Sequence, residues 1–213
     1  LGASGFLGSH VTKALVKQGR DVRMLVRKTS DTRSTDHLDV ERCIGDVMDK
    51  ASLLAAMQGC ATIFYCVVDT RAWLRDTAPL YRVNVDGLTN AMDAALEAGI
   101  ERFVFTSSFV TVGLNATGVS TEVDVFNWPD TAPDYILCRV EAENKLLQYV
   151  REKGLPAVVC CVGNTYGPED FAPTPHGKLV LDSASGNMPF YWEGGGPSVG
   201  IVDAAEALLQ AEI

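Results

Sequence analysis

Short apolar runs alternate with longer segments of helical spacing along the whole chain. Residues 22–26, 40–44, 61–68, 103–105 and 157–162 are runs of strand length, rich in valine, isoleucine and phenylalanine. Between them, residues 10–16, 50–58, 78–97 and 135–152 carry apolar positions three and four apart, the spacing of an amphipathic helix. Gly19, Gly59, Gly99 and Gly154 stand just past these segments, where a left-handed residue ends a helix. Runs apolar on both faces suit strands covered by helices on either side. The alternation therefore predicts βαβ units and an α/β fold with a doubly wound parallel sheet.

Residues 27–36 read as a polar loop and 113–134 as irregular structure. From Asn164 the alternation gives way to sequence containing proline, glycine and histidine. A strand at 199–202 then enters a helix. Residues 1–163 are expected to form the doubly wound domain, with most of its first strand missing. Residues 164–213 are expected to form a small, incomplete substrate lobe plus a strand and helix that return to the main domain. Both chain ends look cut.

Composition narrows the function classes. The chain has 213 residues, 47% of them hydrophobic, enough for a large core. A net charge of −9 argues against nucleic acid as a partner, because phosphate contacts need a basic face. No apolar run approaches the roughly 20 residues of a membrane span. Cys43, Cys60, Cys66, Cys138, Cys160 and Cys161 lack metal-type pairing and read as free thiols of a reducing, cytoplasmic compartment. His10, His37 and His176 are scattered, so no metal site is expected.

Candidate chemistry begins at the first eight residues, Leu1-Gly2-Ala3-Ser4-Gly5-Phe6-Leu7-Gly8. Three glycines at three-residue spacing, just before a helix, let backbone N–H groups approach an anion. Alone, the triplet also suits an ordinary loop of small residues. In an alternating α/β chain it becomes the expected pyrophosphate site of a dinucleotide. The ribose-selecting residue is then expected about 20 residues on, acidic for NAD and basic for NADP. Arg27 and Lys28 stand there without an acid, which favours NADP(H) and leaves NAD(H) open. Asp46 is placed either to accept a hydrogen bond from adenine or to cap the next helix.

Across the cleft, Thr106, Ser107 and Ser108 end an apolar strand, and Tyr135 opens a long helix. Arg139 shares the helix face of Tyr135. Its fixed charge is expected to lower the Tyr135 pKa, fitting the phenol for proton transfer, while a serine hydroxyl holds a carbonyl. Standing alone, Tyr135 would read as an ordinary helix-start aromatic.

It is not alone. Gly2 through Gly8, Gly45-Asp46, Asn84-Val85-Asp86-Gly87, Phe105-Thr106-Ser107-Ser108, Tyr135 through Glu143, Asn164-Thr165-Tyr166-Gly167-Pro168 and Val202-Asp203 occur in that order. Together they resemble the extended short-chain dehydrogenase/reductase superfamily, in its NAD-dependent epimerase/dehydratase family. Within that family they are most similar to the dihydroflavonol 4-reductase-like branch. The resemblance covers essentially the whole chain and implies a Rossmann domain.

It implies an NAD(P)-dependent oxidoreductase acting on CH–OH or C=O groups. Ser108 and Tyr135 fall at the family's catalytic serine and tyrosine, and Asn84 at a helix asparagine that supports the active-site backbone. Implied cofactor contacts are Gly2, Ser4, Gly5, Phe6, Leu7, Gly8, Arg27, Lys28, Asp46, Val47, Cys66, Val67, Val68, Thr106, Ser107, Tyr135, Arg139 and Asn164. Two departures stand out. Arg139 occupies the lysine position of Tyr-x-x-x-Lys, and Cys66-Val67-Val68-Asp69 is bulkier than the family's small or polar strand end.

The implied reaction is NADPH-dependent reduction of a ketone or aldehyde on a hydrophobic small molecule. A sugar-nucleotide epimerase or dehydratase of the same fold, or a non-catalytic NADP-binding module, are the alternatives. Phe171, His176, Phe190, Tyr191 and Trp192 point to an apolar or ring-bearing ligand, though the same residues also suit a core. Relatives often pair through the two long helices, whose outer faces are expected to show Leu80 and Leu147. Spacing does not separate a homodimer face from packing within one chain.

Overall fold

The computed structural model describes residues 1–190 and 193–212, so Tyr191 and Trp192 lie outside the described residues. Strands β1 (Arg23–Val26) and β2 (Glu41–Ile44) pair in parallel. Strands β3 (Thr62–Tyr65), β4 (Arg102–Ser108) and β5 (Ala157–Val162) form a parallel sheet with β4 in the middle. A third parallel pair joins β6 (Asn164–Tyr166) to β7 (Ser198–Gly200). The helices between them are α1 (Phe6–Lys17), α2 (Lys50–Met57), α3 (Ala78–Tyr81), α4 (Gly87–Ala98), α5 (Asp134–Lys153), α6 (Pro175–Ala184) and α7 (Ile201–Gln210).

The central strand shows why helices cover both faces. Successive side chains of a strand point to opposite sides. Phe103 and Phe105 of β4 pack with Leu53 and Met57 of α2, Leu88 and Met92 of α4, and Cys138 and Leu146 of α5. Val104, between them, faces the other way, onto Val11 and Leu15 of α1 and Leu208 and Leu209 of α7. Fully burying a side chain of this size contributes about 1.5–3 kcal/mol, so a strand apolar on both sides draws two helical layers. This is the doubly wound arrangement expected from the alternation.

Leu1 lies along β3. Its nitrogen donates to the Phe64 carbonyl at 2.7 Å, and its own carbonyl accepts the Cys66 N–H at 3.0 Å. A cavity of 660 Å³ between β1 and β3 separates the first pair from the central sheet.

Several elements differ from the expected ones. β4 runs on through Thr106, Ser107 and Ser108, because all three continue the ladder with β5. The helix expected over residues 78–97 is α3, a π-helical turn at Arg82–Asp86, and α4. Leu80 is fully buried in the core rather than exposed on an outer face, and Leu147 is half-buried. The apolar spacing of the first long helix therefore reflects packing within the chain. Residues 164–166 form a strand where irregular structure was expected, since β7 is there to pair with it. Helix α6 was not foreseen, and none of its residues is buried. The six cysteines are unbridged, and no helix among the described residues is long and apolar enough to cross a membrane.

Candidate active site

The site begins where α1 starts. Gly2 has φ +79°, and a Cβ on it would lie 2.7 Å from the Cys66 carbonyl carbon. A Cβ on Gly8 would lie 2.2 Å from the Gly2 carbonyl oxygen. Only glycine lets the turn fold this tightly against the end of β3. Gly5 precedes α1, and no side chain caps the helix and no acid sits in its first turn. Its first amide groups and the positive end of its dipole therefore remain available to an anion.

A cavity of 810 Å³ opens beside this turn, lined by Gly2, Ser4, Gly5, Arg27, Asp46, Val47, Cys66, Val67 and Val68 among others. Nine of the expected cofactor residues thus share one wall. Lys28 is exposed and does not line it, nor do Phe6 and Leu7, the first two residues of α1. Gly8 faces the cavity between the sheets instead.

At Asp46 the two readings separate. Asp49 caps α2, its Oδ1 accepting from the Ala51 and Ser52 N–H groups at 3.1 and 3.3 Å. Asp46 accepts the Met48 N–H at 2.9 Å and stays on the cavity wall. Ser30, Arg71 and Arg82 line the same cavity and carried no sequence signal, because they come from three separate segments. Ser30 Oγ accepts the Arg27 N–H at 3.0 Å, which holds the loop after β1 against the cavity. Arg27, Arg71 and Arg82 share this lining with Asp46 and Asp69, three cations against two carboxylates in a chain of net charge −9. The Arg71 guanidinium grips Asp69 and holds that carboxyl below its ordinary range.

The strand end carrying Ser108 meets this wall through Thr106, whose hydroxyl donates to Cys66 Sγ at 3.4 Å. Arg139 is 2% exposed, and its Nη2 donates to the Thr106 carbonyl at 2.7 Å. The guanidinium lies 5.3 Å over the Phe105 ring, a cation–π contact. Its Nε and Nη1 are buried with no hydrogen-bond partner among the described residues. One turn earlier, Tyr135 is half-buried. Burial pushes its pKa up, with Arg139 acting the other way. Arg139 lowers it as expected, but stripping water from the phenolate outweighs the cation and leaves the pKa raised.

Asn84 sits in the π-helical turn, 1% exposed. Its Oδ1 accepts the Asp69 N–H at 2.8 Å and its Nδ2 donates to the Asp69 carbonyl at 3.1 Å. One amide thereby satisfies both backbone groups of a residue on the cavity wall. Ser107 donates its hydroxyl to Glu143, and Thr111 does so at 2.7 Å. Asn164 begins β6, its N–H donating to the Pro197 carbonyl at 2.9 Å.

Residues 1–207 match the NAD dependent epimerase/dehydratase family. The chain belongs to that family, within the extended short-chain dehydrogenase/reductase superfamily. It is 35% identical over 188 residues to sterol demethylase protein B of Methylococcus capsulatus, covering 88% of this chain and 57% of that one. It is 30% identical over 210 residues to dihydroflavonol 4-reductase of Zea mays, covering 89% and 58%. Among solved structures, gox2253 superposes with a TM-score of 0.93 at 39% identity, over 99% of this chain and 64% of that one. The chain spans less than two thirds of the length of each of these relatives. Membership of this NAD-dependent family agrees with the Rossmann architecture and the glycine turn at Gly2.

Proposed function

We propose that this chain is the cofactor-binding part of an NADPH-dependent reductase acting on a ketone or aldehyde of a hydrophobic small molecule. The observation that carries the reading is Arg139, a buried cation one turn from Tyr135 with two guanidinium nitrogens lacking partners among the described residues. Buried donors of this kind call for acceptors from outside the chain. Ribose hydroxyls of a nicotinamide dinucleotide fit them, as a pyrophosphate fits the uncapped start of α1. When bound, the reduced nicotinamide supplies a hydride.

The chain's own residues supply the rest. Ser108 donates a hydrogen bond to the substrate carbonyl oxygen and orients it. Tyr135 gives its phenolic proton to the same oxygen as that oxygen gains charge. Arg139 stabilises the phenolate left behind. Asn84 holds the wall at Asp69 against which the cofactor would rest.

For the cofactor, Arg27 and Ser30 at the end of β1 favour NADP, since a guanidinium and a hydroxyl complement a 2′-phosphate. Residues from Asn164 onward begin the lobe that selects the substrate.

The test is NADPH consumption by the full-length protein over a panel of hydrophobic ketones and aldehydes. Turnover is expected, with loss in Tyr135→Phe and weaker binding of NADPH, not NADH, in Arg27→Ala. An unchanged rate in Tyr135→Phe removes that residue from the mechanism. Saturable NADPH binding without turnover on any carbonyl favours a non-catalytic module. Preference for NADH favours an epimerase or dehydratase.

A further inference from the structure

We propose that Glu143 is a positioning residue that sets where Ser108 stands relative to Tyr135, a role that rests on the reading of those two residues given above. Glu143 lies on α5, four residues after Arg139 and eight after Tyr135, spacings that keep all three toward one side of the helix. Its Oε2 takes hydroxyl hydrogen bonds from both Ser107 and Thr111. These two residues bracket Ser108. Ser107 is the residue before it, and Thr111 closes the 3-10 turn Phe109–Thr111 that follows.

Both donors are buried, so the carboxylate is their available acceptor in place of water. The Thr111 hydroxyl also stands 2.7 Å from the Ser108 carbonyl oxygen. Its single proton is therefore shared between Ser108 and Glu143, and one carboxylate grips the turn on both sides. Among the described residues Ser108 Oγ only accepts the Val110 N–H, at 3.5 Å. Its proton stays free for a substrate oxygen. The strand end that presents the serine is thus tied to the helix that presents the tyrosine through Glu143. The Ser107 and Thr111 hydroxyls have their protein partner on that helix, so their role goes beyond lining a cofactor cleft.

Misplacing a reacting group by about 1 Å costs about 100-fold in rate. In the full-length protein, Glu143→Ala is expected to lower kcat about 10- to 100-fold, with KM for NADPH and for the carbonyl changed less than about threefold. Glu143→Gln, whose amide can still meet both hydroxyls, is expected to recover most of the rate. Thr111→Val is expected to lower kcat in the same direction. The double variant E143A/T111V is expected to lose less than the product of the two single losses, because the Thr111–Glu143 contact is common to both.

A kcat in E143A within about threefold of wild type, alongside an inactive Y135F, overturns the role of Glu143 and leaves the reductase reading standing. Independent, multiplying losses in the double variant overturn it as well. Absence of turnover in the wild type overturns the reductase reading, and this role with it. If E143A does not fold, E143Q and T111V carry the test: wild-type kcat in T111V, or an E143Q kcat as low as that of Y135F, overturns the role.

Discussion

Arg139 Nη2 donates to the Thr106 carbonyl at 2.7 Å, so the cation of α5 is bonded directly to the strand that ends in Ser108. This contact spends one face of the guanidinium on the protein and leaves Nε and Nη1 for something else. Arg139→Lys keeps the charge and is expected to preserve or raise the rate of NADPH-dependent reduction. A collapse would show that the planar fork has a geometry of its own. Arg139→Met is expected to abolish turnover while leaving the melting temperature equal or higher. A buried cation with no carboxylate partner loses more in desolvation than one hydrogen bond returns. Thermal melts and initial rates on both variants check this.

Gly8→Ala is expected to disrupt the cofactor end of the site. The new Cβ would lie 2.2 Å from the Gly2 carbonyl oxygen, and backbone cannot swing aside as a flexible side chain can. A stability loss of about 1–3 kcal/mol is expected from forced overpacking. It should appear in denaturant titration together with weaker dinucleotide binding.

Asn84→Ala leaves the N–H and carbonyl of Asp69 without their side-chain partner. Losing these buried bonds should cost about 1–3 kcal/mol. Because Asp69 lines the dinucleotide cavity, cofactor affinity should fall as well. Isothermal titration with NADPH beside urea denaturation separates the two effects. A stability loss with unchanged affinity would reduce Asn84 to a core residue.

Tyr65 is expected to contribute to the alkaline limit of stability, beside buried thiols such as Cys66 whose pKa burial also raises. The Tyr65 ring is stacked on Phe103 and tilted against Phe105, 1% exposed, and its hydroxyl has no partner among the described residues. Burial pushes its pKa far above that of a free tyrosine, and burial raises those of Tyr135 and Tyr81 in the same direction. The unfolded chain then gives up these protons first. The stabilising contribution is complete below the free-tyrosine value of about 10 and is lost as pH rises beyond it. Tyr65→Phe is expected to flatten this fall and to leave stability at neutral pH equal or higher, since an unpartnered hydroxyl is removed. Chemical denaturation of both proteins between about pH 8 and about pH 11 checks the sign.

Much of the architecture was legible before any coordinates. Apolar runs of strand length between amphipathic segments required parallel strands with helices on both sides, and residues 103–105 required cover on both faces. The glycines at 2, 5 and 8 marked the tight turn at the start of α1. Arg27, Asp46, Ser108 and Tyr135 were placed at or just past strand and helix ends, and Arg139 one turn into the helix of Tyr135. These are properties of local backbone geometry, which periodicity and glycine positions encode directly.

Tertiary structure alone decided what those residues meet. Asp49, not Asp46, caps α2, and Leu80 went to the core because β4 and α5 close over it. Arg71 and Arg82 reached the cavity from segments with no motif. At Tyr135 the sequence showed the neighbouring cation but not the depth of burial, and burial sets the direction of the pKa. Glu143 closed the tyrosine segment with no role attached to it until the chain crossed over and brought Ser107 and Thr111 to its carboxylate. Which side chains share a contact depends on how distant segments stack and how much water they exclude, and neither is written in the spacing of any single segment.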